Sequence, residues 1–472
     1  MAASFPDPDK LQKDVHAALK AWHTVGGTAE NLLESLLIVQ QRRLANEAGD
    51  NPALLRQATS AVLLEGIEKM AAQDAQRARI LRLRFLDGKS IAEVSYMLDA
   101  SEDAVNRRQR EGIKNLTKII HAGETAARQE ATLAMEAHLP PPTYVELFGV
   151  AELQVQLYRK LLHESSPGAV ALVGIGGIGK TAVADRVTRQ IIGDFHFDRV
   201  FWLRHDPQTM NGRSRSPEVT AASVIDGLAR RLWPDAAGTF TPEQQLLRVR
   251  QAFKARPHLV VIDNLENESD TAGLLARLND LALPSKFLLT TRTRPAEQAA
   301  VFNVSLDELS FNDAAVLLRH HAWETGVVVV AEADESEVRA IYDTVGGNPL
   351  ALKLVVTLLD VIPLPQVLAD LAHSRQGRVE AMYRHIYRQT WLTLNEAART
   401  LLQAMPLVAE AGAEPEYLQA MTGLGGAQFW PAVEELRRRS LLEVRGDINE
   451  KRYGIHRLTD TFLRTEIIGW DE

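Results

Sequence analysis

The sequence has no cysteine among its 472 residues, which excludes disulfide scaffolds, thiolate metal sites and cysteine nucleophiles. No apolar run approaches the roughly 18 residues that a membrane-spanning helix needs. The stretch from Met1 to Lys13 lacks the basic region followed by an apolar region that marks a signal peptide. Lys and Arg total 53 against 61 Asp and Glu, and this net charge of −8 argues against wholesale coating of nucleic acid. We therefore expect a cytoplasmic protein without a membrane partner.

The length of the chain suggests three to four domains. The pattern of hydrophobic residues changes twice along it. Apolar residues recur at helical spacing as far as about residue 136, where the proline run His138–Thr143 predicts a semi-rigid linker. Four short runs rich in β-branched and aromatic residues then alternate with helical stretches, at 170–173, 200–203, 259–262 and 287–290. They predict a parallel sheet covered on both faces by helices. From about Ser310 the chain is helical again, apart from a hairpin-like piece near its end.

A glycine-rich loop follows the first predicted strand. Residues Gly174 to Thr181 match GxxxxGK[ST] between a predicted strand and a predicted helix. We expect backbone N–H groups to wrap phosphates, Lys180 to reach the β- and γ-phosphates, and Thr181 to ligate Mg²⁺. The alternative is a glycine-rich turn without a ligand, which the strand–helix context disfavours. The expected nucleotide contacts in the loop are Gly174, Gly176, Gly177, Ile178, Gly179, Lys180, Thr181 and Ala182.

Two later strands end in polar residues. An apolar run ends at Asp263, which we expect to be the second Mg²⁺ ligand. The next residue, Asn264, is a poor base, so Glu266 is the candidate for orienting water and turnover should be slow. Arg292 follows another strand and could distinguish ATP from ADP at the γ-phosphate, with a solvated strand end as the alternative. The candidate catalytic residues are Lys180, Asp263, Glu266 and Arg292.

Taken together, these motifs resemble the nucleotide-binding core of the STAND NTPases of the NB-ARC type. The segment Val345–Leu352 (VGGNPLAL) looks like the glycine-x-proline motif of that family. The resemblance implies that Pro349, with Leu350 beside it, packs against adenine. The residues alone indicate only a turn that leads into a helix.

Two further segments extend the resemblance. The segment Leu147–Leu153 is similar to the one whose backbone contacts adenine in the family, which implies contacts from Phe148, Gly149 and Val150, although an arginine is common where Val150 stands. The segment Tyr453–Leu458 looks like the winged-helix motif, in which a histidine, here His456, touches the β-phosphate of ADP. The aspartate that follows in the family is replaced here by arginine, and a packing histidine is the alternative interpretation.

The resemblance implies an α/β P-loop NTPase core with a parallel sheet, plus helical, winged-helix and N-terminal all-helical domains. The expected bounds are 1–137 for the N-terminal domain, 138–143 for the linker, 144–305 for the nucleotide-binding domain, 306–375 for the small helical domain and 376–472 for the winged helix. It also implies a switch that ADP holds closed and that ATP opens, exposing surfaces for homo-oligomerisation. Family members normally carry a repeat array as sensor after the winged helix. The sequence to Glu472 has none, so the sensor is a separate protein, the N-terminal helices, or part of a longer chain.

Residues 75–120 resemble a helix-turn-helix of the sigma factor region four type. Ser90 and Glu93 form a capping box at the start of a second helix, and Ser101 starts a third. The third helix carries an apolar stripe of Val105, Ile113, Leu116 and Ile120. Five basic residues lie largely off this stripe, namely Arg107, Arg108, Arg110, Lys114 and Lys118.

The charge of this N-terminal domain does not decide whether the domain binds DNA or a protein partner. The third helix offers a face for DNA phosphates and base edges, with Arg107, Arg108, Arg110 and Lys114 as candidate contacts. Yet residues 1–138 hold 18 basic and 19 acidic side chains, so no broad basic surface surrounds the helix. Transcription regulation through DNA and a defence or signalling scaffold that docks a protein partner remain equal alternatives. An ordinary P-loop ATPase with steady turnover is the alternative from a different class.

Overall fold

The computed structural model describes residues 7–23, 32–44, 52–163, 166–204, 217–265, 268–292, 294–295, 300–374, 384, 387–388, 390–408, 412–439, 441–446, 450–455 and 457–468. Contacts divide the chain into two compact units. One comprises Met1–Ala137 with Gln190–His196, and the other His138–Arg189 with Phe197–Glu472. The predicted division of the second unit into three domains stays a prediction.

The first unit is helical throughout its described residues, as the periodicity predicted. Its helices are α1 (Pro8–Lys20), α2 (Leu37–Leu44), α3 (Pro52–Gln73), α4 (Ala75–Leu81), α5 (Ile91–Met97) and α6 (Glu102–Glu136), with a 3₁₀ turn at Leu32–Ser35 and a π-helical turn at Arg82–Leu86. The capping box of Ser90 and Glu93 at α5 and the N-cap of Ser101 at α6 are confirmed. The predicted stripe on α6 is buried, so packing rather than propensity holds this long helix.

A buried ion pair fixes α2 against α6 in this unit. The Glu124 carboxylate is fully buried and accepts hydrogen bonds from the backbone N–H groups of Leu37 (3.0 Å) and Ile38 (3.1 Å). It also accepts one from Arg128 Nε at 2.6 Å. The carboxylate therefore satisfies free donors at the start of α2, where the helix dipole favours negative charge.

The second unit contains a parallel five-stranded sheet in the order β2-β3-β4-β1-β5. The strands are β1 (Ala169–Val173), β2 (Arg199–Arg204), β3 (His258–Leu265), β4 (Lys286–Thr291) and β5 (Val301–Ser305). The four predicted strands and the parallel α/β core are confirmed. The fifth strand, which pairs with β1, was missed because Asn303 interrupts its apolar residues and only Val304 of the five is buried.

Helices flank this sheet and then form the rest of the unit. Around the sheet lie α7 (Ala151–Leu162), α8 (Lys180–Gly193), α9 (Pro217–Leu232), α10 (Pro242–Ala255) and α11 (Glu268–Leu281), with a 3₁₀ turn at Ala237–Thr239. Beyond it lie α12 (Phe311–Thr325), α13 (Val328–Ala331), α14 (Glu335–Val345), α15 (Pro349–Leu359) and α16 (Leu364–Ser374). The C-terminal region holds α17 (Glu396–Ala404), a 3₁₀ turn (Met405–Leu407), α18 (Pro415–Thr422), α19 (Gly426–Arg438), the antiparallel pair β6 (Glu443–Gly446) and β7 (Lys451–Gly454), α20 (Arg457–Phe462) and a π-helical turn (Leu463–Ile468).

Two hydrophobic cores serve the second unit. One surrounds the sheet and includes Phe253 and Phe287, both fully buried. The other is continuous from α12 to the C-terminal helical turns and includes Leu354, Leu401 and Phe429. A continuous core means that α12–α16 and the C-terminal region pack as neighbours in this arrangement. Within the described residues, no helix has the length and apolar character to cross a membrane.

Candidate functional site

The glycine-rich loop joins the end of β1 to the start of α8. Gly177 and Gly179 have φ angles of +74° and +103°, a region in which a side chain is strained. A Cβ at Gly174 would lie 2.8 Å from the carbonyl oxygen of Leu306. The glycines are therefore needed for the path of the loop, which leads directly into the N-terminus of a helix where anions bind readily.

Lys180, the first residue of α8, folds back onto this loop. Its Nζ donates hydrogen bonds to the carbonyl oxygens of Gly174 (2.8 Å) and Ile175 (2.9 Å). An ammonium group has three mobile donors, so it can exchange carbonyls for phosphate oxygens at little cost. The cation is thus held at the mouth of the loop.

Asp263 lies where β3 departs from regular pairing. The register of β3 against β4 shifts between Ile262 and Leu265, and Asn264 has a φ of +76°. Such a bulge re-aims the side chains at the end of a strand. Asn264 keeps its backbone bonded because its N–H donates to Thr290 Oγ1 at 2.8 Å.

The bulge brings Asp263 to the side chain of Thr181. Thr181 Oγ1 donates to the two carboxylate oxygens at 2.9 and 3.2 Å, and Thr290 Oγ1 donates to one of them at 2.5 Å. Asp263 is 2% exposed. A buried carboxylate next to a hydroxyl, at the carboxyl ends of parallel strands, is an all-oxygen donor set of the kind that suits Mg²⁺.

These residues border a cavity of about 470 Å³ within the second unit. Its walls include many of the residues singled out from the sequence: Phe148, Val150, Gly176, Gly177, Ile178, Gly179, Lys180, Thr181, Ala182, Asp263, Arg292, Pro349 and Leu350. Gly174 and Gly149 are not among the walls but shape the adjoining backbone. Gly149 has a φ of +65°, and a Cβ there would lie 2.9 Å from the Asp313 carboxylate. Glu266 and His456 lie outside the described residues.

The segment that joins α14 to α15 is pinned to the phosphate loop. Asn348, 1% exposed, caps α15 by accepting from Leu350 N (3.0 Å) and Ala351 N (3.4 Å). Its Nδ2 donates to the carbonyl oxygen of Gly176 at 3.0 Å. A Cβ at Gly347 would lie 2.2 Å from the carbonyl oxygen of Leu309, so this approach of two backbones requires glycine. One side chain therefore couples the position of α15 to that of the loop.

A second network ties the linker to α8. Tyr144 Oη donates to Asp185 Oδ2 at 2.8 Å, and Arg189 Nε donates to the same carboxylate at 2.9 and 3.1 Å. Arg189 Nη2 donates to the carbonyl oxygen of Pro140 at 2.7 Å. Burial, and then the hydrogen bond to Asp185, raise the pKa of Tyr144 far above its usual value, so its hydroxyl stays a donor.

Several wall residues were not found from the sequence. Arg204 is the last residue of β2, at the carboxyl edge of the sheet. Ligands of parallel α/β sheets bind at this edge, so its position could have indicated it. His321 of α12 also lines the cavity, although its helix carries no motif that marks it. Burial, with the charges of Lys353 and His320, lowers the pKa of His321 to about 3, so its imidazole is neutral at physiological pH.

The C-terminal region also contributes to the walls. Arg437 of α19 lines the cavity, together with Leu442, Val444 and Ile455. No local sequence signal indicated these four residues, because they reach the cavity only through the packing of α19, β6 and β7.

The helix α6, which is the third helix of the predicted helix-turn-helix in the N-terminal domain, exposes a basic stripe. Arg107, Arg110, Lys114 and Lys118 are exposed, and their spacing of three, four and four residues places them on one helical face. Arg108, also a candidate for DNA contact, is half-buried. Val105, Ile113, Leu116 and Ile120 are buried on the opposite side.

Two stretches of the chain match models of known protein families. Residues 151–328 match the family model of the NB-ARC domain, and residues 39–112 match that of the ECF sigma factor. The resemblance to the NB-ARC type that was inferred from the motifs is confirmed by the first match, and the resemblance to sigma factors by the second. The phosphate loop and Asp263 lie within the residues that match the NB-ARC domain.

Curated relatives include bacterial and plant proteins. The regulatory protein AfsR of Streptomyces coelicolor is 27% identical over 244 residues, 50% of this chain and 23% of that protein. The probable disease resistance RPP8-like protein 4 of Arabidopsis thaliana is 22% identical over 288 residues, 57% of this chain and 30% of that protein. The chain thus spans less than a third of these relatives. A STAND protein with a tetratricopeptide repeat sensor from Pyrococcus horikoshii aligns with 69% of this chain and 43% of its own, at 18% identity and a TM-score of 0.43.

Proposed function

We propose that this chain is a nucleotide-gated switch, held closed by ADP and opened when ATP replaces it. One observation carries the proposal: Arg437, Leu442 and Val444 of the C-terminal region line the same cavity as Lys180 and Thr181. A nucleotide in this cavity would therefore touch both the P-loop and the C-terminal region. A ligand that binds one arrangement better than another shifts the equilibrium between them. ADP would favour the closed arrangement, and His456 keeps its predicted role at the β-phosphate.

Mg²⁺ is part of this proposal. Thr181 and Asp263 would hold the ion, and it would neutralise charge on the phosphates when bound. Lys180 would move from the loop carbonyls to the β- and γ-phosphates, and Arg292 would contact the γ-phosphate. Hydrolysis would be slow, because Asn264 offers no base and only Glu266 would orient water.

The first experiment identifies the nucleotide that the protein carries. Freshly purified protein is denatured and the released nucleotide is identified by chromatography. We expect near-stoichiometric ADP, lost in Lys180→Ala and retained in Lys451→Ala, a control for an exposed lysine on β7. Protein that is empty and turns over ATP rapidly would contradict the switch and support an ordinary ATPase.

Oligomerisation is the proposed consequence of opening. Light scattering after size exclusion should show a larger species with Mg²⁺ and a non-hydrolysable ATP analogue than with ADP. Thr181→Ala should stay at the ADP size, because it lacks the hydroxyl proposed to hold the metal. One size under both nucleotides would remove oligomerisation from the mechanism. A sensor outside the described residues, or a separate sensor protein, would set when exchange occurs.

Binding of DNA through the N-terminal module is the favoured output, because four exposed cations share one face of α6. A gel shift at physiological salt should show a specific complex that Arg107→Ala with Arg110→Ala abolishes. Each lost phosphate contact should lower the slope of log affinity against log salt by about 1. Arg79→Ala, an exposed arginine on α4, is the matched control. Absence of a shift on any promoter-derived DNA would favour the defence or signalling scaffold that docks a protein.

A further inference from the structure

The cations around the cavity differ in whether they already have partners. Among the described residues, five lysines and arginines line it: Lys180, Arg204, Arg292, Lys353 and Arg437. The first four all make hydrogen bonds or electrostatic contacts with other residues. Across the part of the chain that the structure describes, Arg437 makes no side-chain hydrogen bond or ion pair.

Other arginines of the C-terminal region do form ion pairs. Arg439 pairs with Glu435 at 3.3 Å, Arg452 with Glu414 at 3.1 Å, and Arg464 with Asp460 at 2.9 Å. The side chain of Arg437 is instead exposed where it lines the cavity, close to the end of α19. A guanidinium whose five donors make no hydrogen bond to any described residue is a strong ligand for phosphate oxygens, which it can bind in bidentate fashion.

We propose that Arg437 binds the phosphate groups of the nucleotide and is the contact through which α19 holds the C-terminal region over the cavity. The inference rests on the proposed nucleotide switch and adds to it a residue from outside the P-loop domain. Leu442, Val444 and Ile455 supply apolar wall on the same side. They bury surface whether or not phosphate is present, whereas Arg437, which has no partner among the described residues, would gain one from the phosphate. Arg437 therefore makes closure depend on the ligand.

The test compares a ligand without phosphate, a ligand with nucleoside and phosphate, and phosphate alone. Affinities for adenosine, ADP and inorganic phosphate are measured by calorimetry on the full chain, as wild type and as Arg437→Ala. We expect Arg437→Ala to bind ADP about tenfold more weakly, the lower end for a charge-assisted hydrogen bond because the side chain is exposed. Adenosine should bind equally to both proteins. Arg437→Lys should recover part of the loss, since it keeps the charge without the bidentate fork.

Two controls separate this inference from the function on which it rests. Lys180→Ala should lose ADP binding outright, which tests the nucleotide site itself. Arg452→Ala removes an exposed arginine of the same region that is not part of the cavity wall, and it should leave ADP affinity unchanged. ADP should also protect the C-terminal region of the wild type from limited proteolysis, and this protection should be lost in Arg437→Ala.

The outcomes that overturn the inference are distinct. Wild-type affinity for ADP in Arg437→Ala, with Lys180→Ala inactive in binding, would refute the role of Arg437 and leave the switch standing. Equal losses for adenosine and ADP would assign Arg437 to the fold or to the nucleoside. A loss for inorganic phosphate alone would indicate a separate anion site, and a wild type that binds neither ADP nor ATP would overturn the switch and this inference together.

Discussion

Asn348 should stabilise the protein in two separable ways, because one side chain caps α15 and also bonds the phosphate loop. The oxygen accepts from the backbone N–H groups of Leu350 and Ala351, and the amide nitrogen donates to the carbonyl oxygen of Gly176. Asn348→Ala removes both functions at a site that is 1% exposed. Asn348→Ser keeps an N-cap oxygen but has no group that reaches the loop.

The magnitudes follow from the contacts. Loss of the N-cap costs about 1 kcal/mol of the free energy of unfolding. Loss of a buried hydrogen bond, with the Gly176 carbonyl left without its partner, costs about 1–2 kcal/mol more. We therefore expect Asn348→Ala to lower the free energy of unfolding by about 2–3 kcal/mol. Asn348→Ser should lower it by about 1–2 kcal/mol.

The assay is urea unfolding followed by tryptophan fluorescence, combined with calorimetric binding of ADP. Asn395→Ala is the matched control, because Asn395 caps α17 through Ala398 N at 2.8 Å and does not line the cavity. Both asparagine-to-alanine variants should lose stability, but only the one at Asn348 should also weaken ADP binding, by about five- to tenfold. Equal ADP affinity in the two variants would refute the coupling of α15 to the loop. Equal destabilisation by Asn348→Ser and Asn348→Ala would refute the division into cap and loop contacts.

Three further outcomes are expected. Gly347→Ala should lower the free energy of unfolding by about 3 kcal/mol, because its Cβ would overlap the carbonyl oxygen of Leu309; thermal melting that matches the wild type would contradict this packing. Burial lowers the pKa of His258 to about 4, so between about pH 4 and 6.5 the unfolded state binds a proton that the folded state does not. The free energy of unfolding should therefore fall by up to about 1.4 kcal/mol for each unit by which the pH is lowered from about 6.5 to about 4, and His258→Phe should flatten the profile measured by urea unfolding. Glu124→Ala should lower the free energy of unfolding by about 3 kcal/mol, because the buried Arg128 then loses the carboxylate beside it. Adding Arg128→Met should recover part of this loss. Additive losses in the double-mutant cycle would show that the two side chains are not coupled.

Local signals accounted for much of the fold and for the phosphate end of the site. The strands β1 to β4 were predictable because each is an apolar run long enough for a buried parallel strand. The starts of α5 and α6 were predictable because a cap needs only residues a few positions apart. The loop from Gly174 to Thr181 was recognisable for the same reason, since its glycines, lysine and threonine act within one turn between a strand and a helix.

The remainder depended on contacts between distant parts of the chain. The strand β5 has no apolar run of its own, and its pairing with β1 defines it. The bulge that directs Asp263 toward Thr181 arises from the mismatch of β3 and β4, which no local pattern encodes. His321 and Arg437 stand on helices whose sequences indicate only amphipathic packing, so their places in the cavity wall follow from where α12 and α19 pack.

The sequence by itself determined the chemistry at the loop: glycines, a lysine, a hydroxyl and a carboxylate, in the order and context typical of the NB-ARC type. Tertiary structure alone decided which other side chains reach that site. Hydrogen bonds within a loop are set by residues close in sequence, whereas a cavity wall is set by the packing of whole helices. For that reason Lys180 could be recognised from the sequence, while Asn348 as the link to the loop and Arg437 as the cation without a partner among the described residues required the fold.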